Sequence, residues 1–143
     1  MVTNPEMLGI QGWLLKRLGC FSINQASPSF HSLRYALDLI VNDQLLVIFP
    51  EGRINKNSKK VPLKQGLFRL AQMAQRKGKS VYIVPIGIAY EQIDPNFRSK
   101  VSLCIESPIE ISDYLNSSIE EFNVNLSTKI NSAEFKAKSL ISY

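Results

Sequence analysis

The apolar run LLVIF at residues 45–49 ends abruptly at Pro50-Glu51-Gly52. The run has the length of a β-strand, and its lack of polar alternation is typical of a strand covered on both faces. Proline has no backbone N–H and cannot continue a strand ladder, so the strand has to end at this point. These features predict a buried strand of a parallel sheet, with Glu51 and Gly52 in the loop that leaves its carboxyl end.

Helical and strand-like apolar patterns alternate along the rest of the chain. This alternation predicts an α/β fold, in which a mixed, largely parallel sheet is flanked by helices. A length of 143 residues fits a single domain, 1–143, with the C-terminal strands and helix at 100–142. The predicted helices cover residues 5–18, residues 27–43 from Ser27-Pro28 to Asn42-Asp43, a stretch from near Lys64 to Gly78, and a last helix that begins with a capping box of Ser117 and Glu120. The predicted strands are 20–23, 45–49, 81–89 with interruptions at Pro85 and Gly87, 101–105 and 109–111.

Positive charge is concentrated in one part of the chain. Residues 53–79 contain nine Lys and Arg and no Asp or Glu, whereas the remainder holds eight basic and twelve acidic residues. Such a region suits phosphate-bearing ligands, anionic lipid head groups or nucleic acid, and a solvated helix face fits the charge equally well. Nucleic-acid platforms usually interleave aromatic residues with cations, and Phe68 is the single aromatic residue here. The composition therefore favours a phosphate or lipid ligand over nucleic acid.

Other sequence features limit the location and the chemistry. Cys20 and Cys104 stand in no pattern typical of a metal site or a disulfide framework, which favours reduced thiols in a cytosolic compartment. No metal or cofactor site is predicted. No apolar run approaches the roughly 20 residues that cross a bilayer. The N-terminal sequence, with Asn4, Pro5 and Glu6, does not resemble a signal peptide.

The loop after the predicted strand at 45–49 has the residues of a ligand site. In open α/β sheets, ligands bind at the carboxyl ends of strands. Gly52 lets the backbone approach a ligand, Pro50 fixes the exit direction, and the Glu51 carboxylate accepts hydrogen bonds from hydroxyls. Lys64 lies near the start of the third predicted helix, whose free N–H groups favour an anion. Together they predict a site for a polyol that carries a phosphate.

Four sequence blocks resemble those of the PlsC-like family, the glycerol-3-phosphate and 1-acylglycerol-3-phosphate acyltransferases. They lie in the family's order between residues 7 and 90, and the region from Gly9 to Phe21 is similar to bacterial members in particular. The blocks are Gly19, Phe21 and Ile23; Phe49-Pro50-Glu51-Gly52; Leu63-Lys64-Gln65-Gly66-Leu67-Phe68 with Leu70-Ala71; and Val84-Pro85-Ile86.

The resemblance implies a phospholipid-synthesising enzyme with the glycerol-3-phosphate acyltransferase-like fold. Its reaction would transfer a fatty acyl group from a coenzyme A or acyl-carrier-protein thioester to a lysophosphatidate-type acceptor. No further cofactor is implied, and the protein would be cytoplasmic and peripheral to an anionic membrane. Glu51, Gly52, Arg53 and Lys64 are the implied substrate-binding residues, with Pro50 and Gln25 as further candidates.

Two of the family's arginines are missing from their usual positions here. Gln25 stands where an arginine usually closes the first block, and Arg53 lies one position before the arginine that usually follows FPEG. The family's histidine and aspartate, separated by four residues, are also missing: His31, the single histidine, precedes Ala36 at the aspartate's spacing. Asp38 is seven residues away, about 10 Å along a helix and out of hydrogen-bond range.

No catalytic residue is therefore predicted within the chain, and His31 is interpreted as a residue at a helix edge. We expect the histidine-aspartate block to precede Met1. The alternative is a catalytically dead homologue that binds acylglycerol phosphate or an anionic membrane. Its first helix, with Trp13, Lys16 and Arg17, would then lie in the interface, although the same pattern also fits a core helix.

Overall fold

The computed structural model describes residues 9–21, 30–52, 62–92 and 98–141. It has the mixture of helices and strands that the sequence predicts. The helices are α1 (Gly9–Arg17), α2 (Phe30–Val41), α3 (Gly66–Arg76) and α4 (Ile119–Ile141), the strands are β1 (Tyr82–Ile83), β2 (Ile86–Tyr90), β3 (Val101–Ile105) and β4 (Ile109–Glu110), and a 3₁₀ helix covers Ile111–Tyr114.

The four strands form one bent antiparallel ribbon, residues 81–90 against 101–111. β2 pairs with β3 and β1 pairs with β4. Between the two pairs, the Glu106 N–H donates to the Pro85 carbonyl at 3.0 Å. At the end of the ribbon beyond β1 and β4, the Ile111 N–H donates to the Val81 carbonyl at 3.0 Å. Residues 106–108 lie opposite residues 84–85, so three residues oppose two and form a β-bulge. The bulge accommodates Pro85, which has no N–H to give to the ladder.

The predicted parallel sheet does not occur in the part of the chain that the structure describes, where each strand pair is antiparallel. Successive strands here are joined by short connections, whereas parallel neighbours need a long crossover. The prediction of a strand at 45–49 covered on both faces was wrong. Leu45, Val47 and Phe49 are 98%, 67% and 63% exposed, and only Leu46 and Ile48 pack against the core.

Three helices end where the sequence predicts. Gly19, Asp43 and Gly78 have φ angles of 78°, 57° and 82°, the left-handed conformation that closes a helix. The Gly78 N–H, for example, donates to the Gln75 carbonyl at 2.8 Å. Asp43 adopts this conformation although it is not glycine, and its carboxylate pairs with the Lys79 ammonium at 2.7 Å. The ends of α2 and α3 are thereby joined.

Several predicted boundaries shift by one or two residues. α4 is capped by Ser118, whose Oγ accepts the Glu121 N–H at 3.1 Å, one position after the predicted capping box. Ile111 leaves β4 and begins the 3₁₀ helix, and Gly87 lies within β2 without interrupting it. The predictions for residues 5–8, 22–23 and 27–29 lie outside the described residues.

The core lies between the helices and the inner face of the ribbon. Phe68 of α3 and Phe122 of α4 are buried and stacked, with ring centroids 4.5 Å apart, and Tyr114 meets Phe122 edge-on at 5.4 Å. Along the ribbon, α4 crosses β2 at Gly87, where a Cβ atom would lie 2.2 Å from the Glu134 backbone nitrogen. The absence of a side chain at Gly87 therefore sets how closely the helix approaches the sheet.

Polar contacts fasten the bulge to α4. The Glu106 carboxylate accepts hydrogen bonds from the Lys136 ammonium and from the Ser132 hydroxyl, the latter at 3.0 Å. The Lys129 ammonium donates to the Ser107 hydroxyl at 2.6 Å. The hydrogen bond from Lys136, reinforced by that from Ser132, lowers the pKa of Glu106 below its ordinary 4.5, and the same contact raises the pKa of Lys136 above 10.5.

The Glu106–Lys136 pair predicts a small stabilisation with a defined pH range. A lowered carboxyl pKa gives stability that is present above the unfolded value and is lost as pH falls through the folded one; the raised lysine pKa behaves in the opposite sense at alkaline pH. Lys136→Met is therefore expected to lower the melting temperature slightly and evenly between about pH 6 and 9. Thermal melts should show this difference shrinking as the pH falls below the unfolded carboxyl value of about 4.3 and vanishing once Glu106 is protonated in the folded protein. A difference that persisted there, or that persisted in a Glu106→Gln background, would contradict the assignment.

Candidate functional site

A tight turn follows the segment at 45–49. The Gly52 N–H donates to the Phe49 carbonyl at 3.1 Å, which closes a four-residue turn with Pro50 in its second position. The fixed φ of proline suits that position. Gly52 has a φ of 68°, which favours glycine over any residue with a side chain. The Glu51 side chain is half-buried in this turn. FPEG is therefore a sequence that fits the backbone geometry observed.

The turn is joined to the residues that begin α3. The Lys64 N–H donates to the Pro50 carbonyl at 2.8 Å. This main-chain hydrogen bond brings together two parts of the chain that are separated in sequence by residues 51–63. The turn that contains Glu51 and the N-terminal end of α3 thus belong to one local structure.

The N-terminal end of α3 is electropositive and has no side-chain cap. Gln65 occupies the cap position without capping the helix, and its Oε1 instead accepts a hydrogen bond from Arg69 Nη2 at 2.9 Å. The first N–H groups of a helix have no partner within it, and the helix dipole adds partial positive charge. The exposed side chains of Lys64 and Arg69 add two full charges. An anion is favoured at this end of α3.

The structure brings together four of the residues that the sequence singled out, Pro50, Glu51, Gly52 and Lys64. Arg53 and Gln25 lie outside the described residues. The role of these residues in binding stays a prediction. Sequence reasoning did not select Gln65 and Arg69, although their spacing of four residues, directly after Lys64, indicates a pair on one side of a helix.

His31 is the second residue of α2 and is exposed, as its interpretation as a helix-edge residue requires. Asp38 is exposed further along the same helix. Within the described ranges, no three His, Cys, Asp or Glu side chains come together as a metal site, and both cysteines are free thiols. None of the described helices has the length and apolarity to cross a membrane.

Comparison with known proteins gives one family and one relative. The family model described as Acyltransferase matches residues 2–89. A 1-acyl-sn-glycerol-3-phosphate acyltransferase of Streptococcus pneumoniae is 30% identical over 110 residues, which cover 73% of this chain and 37% of that protein. The chain thus spans little more than a third of that relative's length. No solved structure matches the chain. Because the family match extends over more than half of the 143 residues, this chain belongs to the acyltransferase family, in the PlsC-like group that its sequence blocks indicate.

Proposed function

We propose that this chain carries the acceptor site of a glycerolipid acyltransferase. The observation that supports the proposal most directly is the hydrogen bond from the Lys64 N–H to the Pro50 carbonyl at 2.8 Å. It holds a turn with a carboxylate beside a helix end that favours anions. A lysophosphatidate-type acceptor has one free hydroxyl and a phosphate on the same glycerol unit, and so matches both halves of this arrangement.

Each residue then has a distinct binding role. Glu51 accepts a hydrogen bond from the free glycerol hydroxyl and fixes its orientation. Gly52 allows the backbone to lie close to the ligand. The first N–H groups of α3, with Lys64 and Arg69, hold the phosphate. Arg53 follows the turn directly in sequence, and we assign it to the same phosphate.

The reaction is acyl transfer from a coenzyme A or acyl-carrier-protein thioester. The acceptor hydroxyl oxygen attacks the thioester carbonyl carbon, the new ester C–O bond forms and the C–S bond breaks. A base takes the hydroxyl proton, and the leaving thiolate is protonated. His31 has no aspartate at the family's spacing, so we assign the base to polypeptide outside residues 1–143. The chain alone then binds the acceptor without turnover.

A second candidate, a binding module that acts at an anionic membrane, is supported by α1. Trp13 and Leu14 are more than half exposed, and the Arg17 guanidinium lies 5.0 Å from the centre of the Trp13 ring. A helix with exposed apolar side chains and cations at its end suits the head-group region of a lipid bilayer. Peripheral membrane contact is also compatible with the enzyme, because its acceptor is a lipid.

The acceptor site is tested by calorimetric titration of residues 1–143 with sn-glycerol 3-phosphate. Lys64→Ala is expected to weaken binding about tenfold, since it removes a hydrogen bond to a charged group worth about 1.5 kcal/mol. Glu51→Gln is expected to weaken binding severalfold, since a neutral amide oxygen accepts a hydrogen bond about half as strongly as a carboxylate. Inorganic phosphate lacks the hydroxyls, so its binding should respond to Lys64→Ala but not to Glu51→Gln.

The matched control is Lys77→Ala, which removes the same charge at the opposite end of α3. We expect it to change the dissociation constant by less than about twofold, because a screened charge so far away contributes little. If Lys64→Ala and Lys77→Ala weakened ligand binding equally, the ligand would be held by general charge attraction and not by a specific site. No detectable binding of glycerol 3-phosphate would contradict the proposal as a whole.

A further inference from the structure

Gly66 is the first residue of α3 and is exposed. Glycine lowers the stability of a helix relative to alanine, so a glycine at this position needs a reason. One reason is a left-handed backbone, but the φ angle of Gly66 is not positive. Another reason is crowding, but a Cβ atom at Gly66 would meet no atom of another described element within 4 Å. Neither the backbone conformation nor the packing of α3 therefore requires glycine here.

Outside α1, the other glycines each have such a reason. Gly19, Gly52 and Gly78 have φ angles of 78°, 68° and 82°, which favour glycine. Gly87 lies against α4, where a Cβ atom would be 2.2 Å from a backbone nitrogen. A further use of glycine is to let a ligand approach the backbone closely. For Gly66, this use is the explanation that remains.

The open space beside Gly66 adjoins the turn that contains Glu51. The hydrogen bond from the Lys64 N–H to the Pro50 carbonyl, 2.8 Å long, holds this turn next to the start of α3. In a helix, the Cα–Cβ bonds tilt towards the N-terminus. A side chain on the first residue would therefore project over the N–H groups that have no partner within the helix. Glycine leaves these groups uncovered on the side of the turn.

The side chain of Gln65 leaves the same N–H groups uncovered. Gln65 occupies the cap position with helical φ and ψ angles of −67° and −14°, and its side chain does not cap the helix. Its Oε1 atom instead accepts a hydrogen bond from Arg69 Nη2 at 2.9 Å. A capping oxygen would compete with an anion for the first N–H groups of α3. The first turn of α3 thus lacks both a capping oxygen from Gln65 and a Cβ atom at Gly66.

We propose that Gly66 is a substrate-binding residue, whose missing side chain lets a phosphate oxygen of the acceptor reach the first backbone N–H groups of α3. This role of Gly66 rests on the acceptor site proposed above and adds to it a residue without charge or side-chain hydrogen bonds. It separates binding from stability, because the substitution that favours the helix closes the space that the phosphate needs.

Gly66→Ala tests this role by calorimetric titration of residues 1–143 with inorganic phosphate and with sn-glycerol 3-phosphate. Both dissociation constants are expected to rise about tenfold or more, because the methyl group blocks a hydrogen bond to a charged group. The melting temperature should stay unchanged or rise slightly, since alanine favours a helix. The variant keeps every charge, so the salt dependence of binding should match that of the wild type. Gly66→Leu, with a larger side chain, should weaken binding further.

Met73→Ala is the matched control, because Met73 is 38% exposed and lies seven residues further along α3, about 10 Å from Gly66. It should change both dissociation constants by less than about twofold.

If the wild type bound both ligands and the two Gly66 variants, with intact melting curves, bound them equally well, the role of Gly66 would be overturned and the acceptor site would stand. Weaker binding of sn-glycerol 3-phosphate alone would also contradict a contact with the phosphate. A wild-type chain that bound neither ligand would overturn both the role of Gly66 and the acceptor site.

Discussion

Replacing Gly87 by valine is expected to lower the melting temperature by about 10 °C or more. A Cβ atom at this position would lie 2.2 Å from the Glu134 nitrogen and 2.3 Å from the Ala133 carbonyl carbon. Both are backbone atoms of α4 and cannot turn aside as a side chain would. The helix must move away from the ribbon, and its contacts through the buried Ala133 and Ala137 are lost.

Overpacking a core costs about 1–3 kcal/mol, and a clash with helix backbone belongs at the upper end or beyond it. Gly66→Ala is the control, because a Cβ atom there meets no atom within 4 Å and alanine favours the helix that begins at this residue. It should leave the melting temperature unchanged or raise it slightly. Equal effects of the two substitutions would show that α4 does not cross the ribbon at Gly87.

Phe122→Ala is expected to lower the free energy of unfolding by about 3–5 kcal/mol, the usual cost of emptying a buried aromatic site. Phe122 is fully buried between the stacked Phe68 ring and the edge-on Tyr114 ring. These rings come from α3, α4 and the 3₁₀ helix, so the cavity would lie where three elements meet. Urea unfolding followed by circular dichroism measures the loss as a lower midpoint with a similar slope.

Phe135→Ala makes the same chemical change on the same helix at an exposed position. Its effect should stay within about 0.5 kcal/mol, as is usual for surface substitutions. If Phe122→Ala cost no more than this control, the aromatic cluster would not be the centre of the core.

Features that depend on neighbouring residues could be predicted from the sequence. Gly19 and Gly78 end α1 and α3 because glycine adopts the left-handed conformation without strain. The turn at FPEG follows from the fixed φ of Pro50 and the positive φ of Gly52. In each case the residue and the backbone geometry that it favours lie within a few positions of each other.

Features that depend on distant parts of the chain could not be predicted. The apolar run at 45–49 indicates side chains suited to burial, but it does not identify what covers each face. In the structure only Leu46 and Ile48 are packed against the core. Gly87 was expected to interrupt its strand, because nothing in the local sequence shows that α4 crosses there.

The candidate site likewise combines local features, which could be predicted, with a long-range contact, which could not. The sequence predicts the turn and the cationic helix start separately. The hydrogen bond between Lys64 and Pro50 depends on the path of the intervening residues, which no periodicity describes. Arg69 was missed because its relation to the site depends on the Gln65 contact at the uncapped end of α3.

Binding of sn-glycerol 3-phosphate, followed by NMR through the backbone amide signals of ¹⁵N-labelled protein, tests the central claim most directly. Titration with sn-glycerol 3-phosphate is predicted to shift the signals of Gly52, Lys64 and Gly66 together, with one dissociation constant, and to leave those of α4 unchanged. Saturable shifts confined to other residues, or no shifts at millimolar ligand, would contradict the assignment of the turn at residues 49–52 and the start of α3 as the acceptor site.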